Sequence, residues 1–511
     1  MNLPARKSCR SSRDAAILAL LLLPQAAAGQ FLERPVVIQN ARIIRMNGPV
    51  IERGSIRIKG RVIEDVGVKV DVPLLARTFD AAGKTVTPGI IDAHSSLGMT
   101  SGGAANGDAT ADAFDAFDRY AIEDFRDALR NGVTTVYLSA ASAAGINGRA
   151  AVIQLARGVG GDVGAKIERD DELCIDLASE RSATARLNTY RSVRKAFQDA
   201  LDYRTAKEEY EEALKEYEKK LKERAEKEAE QEKKTEAEKK EPPKEGQKDP
   251  SGGKGKPAAA VIDAPTVAGS PPVADAAAAQ PTGMVAAQGP DAAAGFQGQP
   301  PKTDKPPNDK EKKEEEIKKP EEPKPDRSKE RLLQAIDREF SVRIRADRSA
   351  DILNALSLAD EFGLKIVIEG AAEAAMVAQA LADARVPVVL GQAQTSPVDV
   401  RPAWRNVAPQ TAAALTRAGV KWGIGTGAGS AALSRFTLVN AQAAAAWIPG
   451  EDALRRVTID AADLLGLDRR IGHLTPGMQA DLVVWTGDPG DPASKVERVY
   501  VAGKLVYQDG E

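Results

Sequence analysis

Apolar and polar positions alternate every second residue near both ends of the chain. Residues 36–67 form short runs rich in Val and Ile, separated by Asn-Gly-Pro and Lys-Gly-Arg turns. Residues 480–510 repeat the pattern. Alternation with a period of two is typical of half-buried β-strands. The pattern therefore predicts strands at both ends, and we expect the two ends to share one small sheet.

Between these ends, continuous apolar runs alternate with stretches of helical periodicity. Residues 118–131 and 371–384 are examples of the predicted helices. The candidate strands are residues 89–94, 133–139, 150–155, 172–177, 341–346, 364–369, 386–390 and 421–425. Eight buried strands with helices between them predict an α/β fold, a (β/α)8 TIM barrel. An open, doubly wound parallel sheet is the alternative.

A long change of composition interrupts this alternation. Tyr203, Tyr210 and Tyr217 recur seven residues apart on a Glu/Lys-rich stretch, which predicts a helical, coiled-coil-like start. Residues 223–328 are rich in Lys, Glu, Pro and Ala and carry too little apolar surface to offset the entropy of ordering. We expect a disordered insertion that acts as a solvated spacer, or alternatively as a docking arm for another protein or a charged surface.

The expected organisation follows from these shifts. It comprises a signal peptide (1–29), a first β-sandwich part (31–87), a first barrel half (88–202), the insertion (203–330), a second barrel half (331–465) and a second β-sandwich part (466–511).

Charge and the first residues limit the function classes. The 511 residues carry 71 basic and 74 acidic side chains, a net charge of −3, which argues against a nucleic-acid partner. Residues 1–29 combine a basic start, a short apolar run and small residues up to Ala28, which predicts a cleaved signal peptide and a secreted or periplasmic protein. No later run is long enough to span a membrane. The mature chain keeps one cysteine, Cys174, which we expect to be an inert core thiol.

Three segments carry a resemblance to a known family. "AAGKTVTPGIIDAHSSLG" (81–98), "GVKWGIGTGAGS" (419–430) and residues 474–506 resemble the amidohydrolase superfamily, of the imidazolonepropionase-like kind. The resemblance implies a TIM barrel with a composite β-sandwich. It also implies hydrolysis of non-peptide carbon–nitrogen bonds with Zn²⁺ or another divalent metal, which lowers the pKa of a bound water to about 7.

The family's ligand positions are largely replaced here. In such enzymes a His-x-His pair closes strand one, histidines close strands five and six, and an aspartate closes strand eight. The chain has only two histidines in all. His473 precedes the C-terminal β segment, away from any ligand position. The family's metal positions are occupied by His94, Ser96, Asp347 (with Arg345 beside it), Gly370 and Gly427. Serine and glycine are poor ligands, and an arginine repels a cation. We therefore expect no metal cofactor.

Three functions remain open. The first is a catalytically impaired binding or scaffold subunit, whose partner would be a related amidohydrolase chain or a second copy of itself. The second is an active hydrolase with a rebuilt, carboxylate-based metal site, with His94, Asp347 and Glu369 as candidate catalytic residues. The third is an envelope spacer or tether built on the 203–330 insertion. We expect Asp347 and Glu369 to pair with Arg345 or Arg348, although a carboxylate pair is the alternative.

Overall fold

The computed structural model describes residues 34–99, 109–139, 144–157, 163–167, 172–178, 182–238, 318–391, 410–427, 436–448 and 452–510. The predicted signal peptide and residues 239–317 of the predicted insertion lie outside these ranges. The chain divides into two compact units, one of residues up to Tyr210 and from Glu322 onward, the other of residues Glu211–Glu321. In the described part of the chain, no helix is both long and apolar enough to cross a membrane.

The described strands follow the predicted apolar runs closely. In chain order they are β1 Val36–Ile43, β2 Ile51–Lys59, β3 Val62–Gly67, β4 Arg77–Asp80, β5 Thr85–Pro88, β6 Ile90–Ser95, β7 Val133–Leu138, β8 Gly145–Arg149, β9 Ala151–Arg157, β10 Val163–Ile167, β11 Leu173–Asp176, β12 Val342–Ala346, β13 Ile366–Gly370, β14 Val388–Leu390, β15 Trp422–Ile424, β16 Leu482–Trp485, β17 Val496–Val501 and β18 Lys504–Gln508.

The helices cover the strands from outside. They are α1 Ile122–Arg130, α2 Ala183–Glu238, α3 Arg327–Ile336, α4 Ser349–Phe362, α5 Ala378–Asp383 (preceded by a 3₁₀ turn, Ala374–Val377), α6 Thr411–Ala418, α7 Phe436–Ala445, α8 Ala453–Arg456 and α9 Ile459–Leu464. Local sequence fixes some ends: Asp326 accepts from Lys329 N at the start of α3, and Gly363 ends α4 in the left-handed region.

Both ends of the chain share one sheet, as expected from their alternating patterns. Its strand order is β18-β17-β16-β5-β1-β2-β3, and β4 also pairs with β1. The link between the two ends is the antiparallel pairing of β5 with β16, in which Val86 lies opposite Val484. The core of this sheet is built mainly from aliphatic side chains of both segments, among them Ile38, Ile56 and Leu482.

The remaining strands form the barrel layer, and all eight candidate strands are confirmed. Strands β11 to β15 are parallel neighbours in chain order, and β6 is parallel to β7. At one seam β8 and β9, which join at Ala150, pair with β11 and β7 respectively. At the other, Gly427 N, just beyond β15, donates to His94 O at the end of β6 (2.7 Å). These contacts carry the strands round in the order of a TIM barrel.

The third strand of the barrel layer, formed by β8 and β9, departs from the regular βα alternation. Both β8 and β9 are antiparallel to their neighbours, whereas the repeat predicts a parallel strand. The physical reason is the connection: only residues 139–144 separate β7 from β8, and a parallel crossover needs about a dozen residues or more.

The predicted insertion falls between strands four and five of the barrel, β11 and β12. Helix α2 starts at Ala183, about twenty residues before the predicted helix at 203. Its first turns pack against the barrel, with Phe197 stacked on Phe362 of α4 (ring centroids 5.3 Å apart). Tyr203, expected on a heptad seam, packs at α3, where its hydroxyl lies 3.3 Å from Glu330. The coiled coil beyond it stays a prediction.

Candidate functional site

The carboxyl ends of several barrel strands surround a small cavity of about 120 Å³. This is the end of the barrel where TIM-barrel active sites lie. The lining combines hydroxyl, amide and charged groups with few apolar ones: His94, Ser95, Ser96, Ser139, Asn147, Cys174, Ile175, Asp176, Arg345, Glu369 and Gly427. Of the sequence candidates, His94 and Glu369 therefore meet here, whereas Asp347 is not part of the lining.

His94 and Glu369 form an ion pair at the base of this cavity. His94 Nδ1 lies 2.8 Å from Glu369 Oε2, at an angle outside hydrogen-bond geometry, and the two side chains are only 15 % and 2 % exposed. Burial lowers the pKa of His94, but the Glu369 carboxylate outweighs it and raises that pKa overall. Burial likewise raises the pKa of Glu369, but His94 and Arg343 outweigh it and lower it. Both shifts favour the charged pair.

A buried arginine supports this pair from within the barrel. Arg343 is fully buried on β12; its Nε lies 2.8 Å from Glu172 Oε2 and its Nη1 3.5 Å from Glu369 Oε1. The guanidinium also stacks over the ring of Tyr137, 4.3 Å from the centroid. The line Glu172–Arg343–Glu369–His94 thus alternates in charge, which is how buried charges are compensated.

Sequence reasoning missed Arg343 and Glu172. The available signal was the alternation in "VRIRA" (342–346): residues two apart share a face of a strand, so Arg343 and Arg345 point the same way. Arg345 reaches the cavity and lies 3.5 Å from Asp176. Asp176 of the neighbouring strand is in register with Arg345, whereas Glu369 faces His94 and Arg343. The expected pairing of Asp347 with Arg345 or Arg348 stays a prediction.

Asp92, two residues before His94, ties strand one to strand eight. It is fully buried and accepts hydrogen bonds from Thr426 N (2.8 Å), from the Thr426 hydroxyl and from His94 N (3.3 Å). Burial raises the pKa of Asp92 to about 6, despite these hydrogen bonds. The hydrogen bonds of Asp92 therefore join β6 to Thr426, just beyond the end of β15.

Gly370 and Gly427, which the sequence places at metal positions of the family, have structural roles here. Gly370 has φ +85° and Gly427 has φ +60°, conformations that side chains rarely adopt. A Cβ on Gly370 would overlap Asp347 Oδ1, and one on Gly427 would lie 3.3 Å from His94 Cδ2. A ligating side chain at either position would therefore have to displace an acidic group or the histidine itself.

Cys174 lines this cavity and also belongs to the buried core. Its Sγ lies 3.3 Å from Ser139 Oγ and 3.9 Å from the Tyr137 hydroxyl. Burial raises the pKa of Cys174 to about 12. The protonated thiol is a poor nucleophile and metal ligand, in agreement with the expectation of an inert thiol.

The donor set does not fit a hydrolytic divalent metal. The Nδ1 of His94 faces a carboxylate that is also compensated by Arg343, and a second guanidinium, Arg345, faces the same cavity. A cation there would be repelled by both arginines. Among the described residues, no group of three or more His, Cys, Asp or Glu side chains is placed to hold a metal ion.

A substitution at Gly370 tests its structural role. We expect Gly370→Ala to lower the free energy of unfolding by about 2–3 kcal/mol, because the new Cβ adds an overlap with Asp347 to the strain of a positive φ. Gly363→Ala is the matched control, since Gly363 has φ +68° but open space around it, and we expect a loss of about 1 kcal/mol. Urea unfolding of both variants measures the difference. Equal losses would show that overlap with Asp347 does not contribute to the cost at Gly370.

Comparison with known proteins agrees with this architecture. Residues 358–506 match the sequence model of the amidohydrolase family. The structure is similar to that of an amidohydrolase from Thermotoga maritima MSB8, with a TM-score of 0.63 and 23 % identity over 93 % of this chain and 100 % of that one.

Residues 358–506 thus carry the sequence pattern of the amidohydrolase family. A stretch of 62 residues is also 36 % identical to amidohydrolase tasK of Hapsidospora irregularis. This stretch is 12 % of the present chain and 6 % of that relative, so the match covers only a small part of the curated protein. The matched segment 358–506 includes Glu369, Gly370 and Gly427, the barrel-mouth positions contributed by the second half of the barrel.

Proposed function

We propose that the chain is an exported amidohydrolase-family protein that does not carry out metal-dependent hydrolysis and acts as a binding or scaffold subunit. The observation that carries the proposal is the row of buried charges Glu172–Arg343–Glu369–His94 at the barrel mouth, called the charge row below. His94, the one histidine at a family ligand position, faces Glu369, and Glu369 is compensated by Arg343. The pattern of residues 1–29 supports export.

The alternative of a rebuilt carboxylate site finds less support. A hard cation needs several oxygen ligands that converge at about 2.0–2.6 Å. Glu369 is already neutralised by two cationic partners, and Asp347 does not line the cavity. The hydroxyl, amide and guanidinium groups that remain suit a small polar ligand better than a metal ion.

Turnover by the purified mature chain tests the proposal. Wild type and His94→Ala are assayed on a panel of amides, cyclic imides and dipeptides, with and without added Zn²⁺ or Mn²⁺. We expect the two proteins to differ less than about twofold in rate, because no step depends on His94 as a ligand. A wild-type rate about tenfold or more above that of His94→Ala, abolished by a chelator, would reject the proposal.

The second part of the proposal, that the chain acts as a binding or scaffold subunit, has a separate test. Native mass spectrometry of the chain isolated from its own export compartment is expected to give a complex, either with a related amidohydrolase chain or with a second copy. Repeated recovery of the isolated monomer alone would count against this half and leave the turnover result unaffected.

A further inference from the structure

The sheet shared by the two chain ends contains a second, larger cavity. Its volume is about 690 Å³, and it lies between the first strands of the chain and the last two, β17 and β18. Four basic residues line it: Arg34, Arg77, Arg498 and Lys504. The residues that line it include no acidic side chain.

The curvature of the sheet brings these four residues together from distant parts of the sequence. The turn between β17 and β18 approaches the turn between β2 and β3 so closely that a Cβ on Gly503 would overlap Gly60 O. Gly503 has φ +76°, so both its conformation and its surroundings require glycine. Lys504, which follows it, thereby reaches the cavity that Arg77 of β4 lines from the other side.

Within the described residues, none of the four basic side chains of this cavity forms a salt bridge. Two carboxylates near the cavity residues in sequence are engaged elsewhere: Asp80 accepts from Asn40 (2.9 Å), and Glu497 pairs with Lys84 (2.6 Å). Several uncompensated cations around one concave surface repel one another and raise the local concentration of anions.

One of these cations is held in position. The Arg498 guanidinium stacks on Phe79, 4.0 Å from the ring centroid. Stacking of this kind fixes the planar fork of an arginine, which matches the oxygens of phosphate or sulfate. Arg77 and Lys504 are exposed and can close on a ligand from the rim.

We propose that this cavity binds a sugar- or polyol-sized ligand that carries several phosphate or sulfate groups. Its volume exceeds that of a single phosphate ion several-fold, and four basic side chains at its walls match several anionic groups. Val36 and Ile58 supply an apolar floor against which a ring can pack. No residue of the barrel-mouth cavity takes part, so the proposal stands or falls independently of the proposed function.

Isothermal titration calorimetry on the full mature chain tests this proposal. The probes are inositol hexakisphosphate and sucrose octasulfate, which separate phosphate from sulfate recognition, with neutral inositol and inorganic phosphate as controls. We expect one site per chain with a Kd below about 100 μM at low salt for at least one polyanion, weakened by added salt, and no binding of inositol.

Charge reversal separates this cavity from the rest of the surface. The double variant Arg77→Glu/Lys504→Glu is expected to raise the Kd at least about 30-fold, because it places like charges opposite the anion. The matched control Lys365→Glu/Arg417→Glu changes the net charge equally at exposed sites on the barrel and is expected to change the Kd less than about threefold. Melting curves verify that both variants fold, and Arg498→Met serves as the second cavity variant if the first does not.

Three results would overturn the proposal. They are the absence of binding by either polyanion up to millimolar concentration, equal binding of inositol, and equal weakening by the cavity and barrel variants.

Discussion

Replacing Arg343 by methionine is expected to lower the free energy of unfolding by about 3–5 kcal/mol. Arg343 is fully buried between Glu172 (2.8 Å) and Glu369 (3.5 Å), and methionine of similar length removes this cation, while His94 remains as a cationic partner of Glu369. Removing one member of a buried ion network costs far more than the net energy of the network, because the remaining charges stay desolvated. Urea unfolding at neutral pH measures the loss.

Arg345→Met is the matched control for this variant. It lies two residues along the same strand, its side chain is 30 % exposed, and its partner Asp176 is 3.5 Å away. Solvent screening reduces such an interaction to about 1 kcal/mol or less. If Arg343→Met lost no more stability than Arg345→Met, the buried charge row would not be the supporting element of the barrel mouth.

The second large effect that we expect is a pH dependence of the free energy of unfolding, caused by Asp92. Burial raises its pKa from 3.8 to about 6, so the folded state binds this proton more tightly than the unfolded chain. The corresponding stability is present below about pH 4 and is lost as the pH rises to about 6. A shift of about two pKa units corresponds to about 3 kcal/mol.

Asp92→Asn removes this titration and keeps the shape of the side chain. Relative to wild type, the variant is therefore expected to gain about 3 kcal/mol in the free energy of unfolding between pH 4 and pH 7. Unfolding by urea at several pH values measures the difference. Asp360→Asn, at an exposed position on α4, is the control for the same substitution outside the core. A difference for Asp92→Asn that does not change with pH would mean that Asp92 is not the titrating group.

Periodicity was sufficient to predict eight strands of the barrel layer, but it predicted neither β8 and β10 nor the strand directions. The eight barrel strands are continuous apolar runs because both faces of a barrel strand are buried, and such runs are visible in sequence. The antiparallel third strand depends on the length of the connection at 139–144, which the helix–strand alternation does not reveal. The shared sheet of the two ends was predictable because each end alternates with a period of two.

The barrel mouth was only partly predictable. Comparison with the family pattern led to the prediction that family ligands are replaced at Ser96, Gly370 and Gly427. The role of Arg343 could not be predicted, because its two carboxylate partners lie 171 and 26 positions away along the chain. The same reason applies to the basic cavity, whose lining extends from Arg34 to Lys504 and is assembled only when the two chain ends meet.

The metal content of the purified mature chain tests the central claim most directly. The protein is dialysed against buffer with trace metals and no chelator, then measured by elemental analysis before and after addition of Zn²⁺ or Mn²⁺. The charge row at His94, Glu369 and Arg343 predicts less than about a tenth of an equivalent of any transition metal, unchanged by the addition. Close to one equivalent, lost on replacement of His94 or Asp347, would contradict the account and establish a metal site built from different ligands.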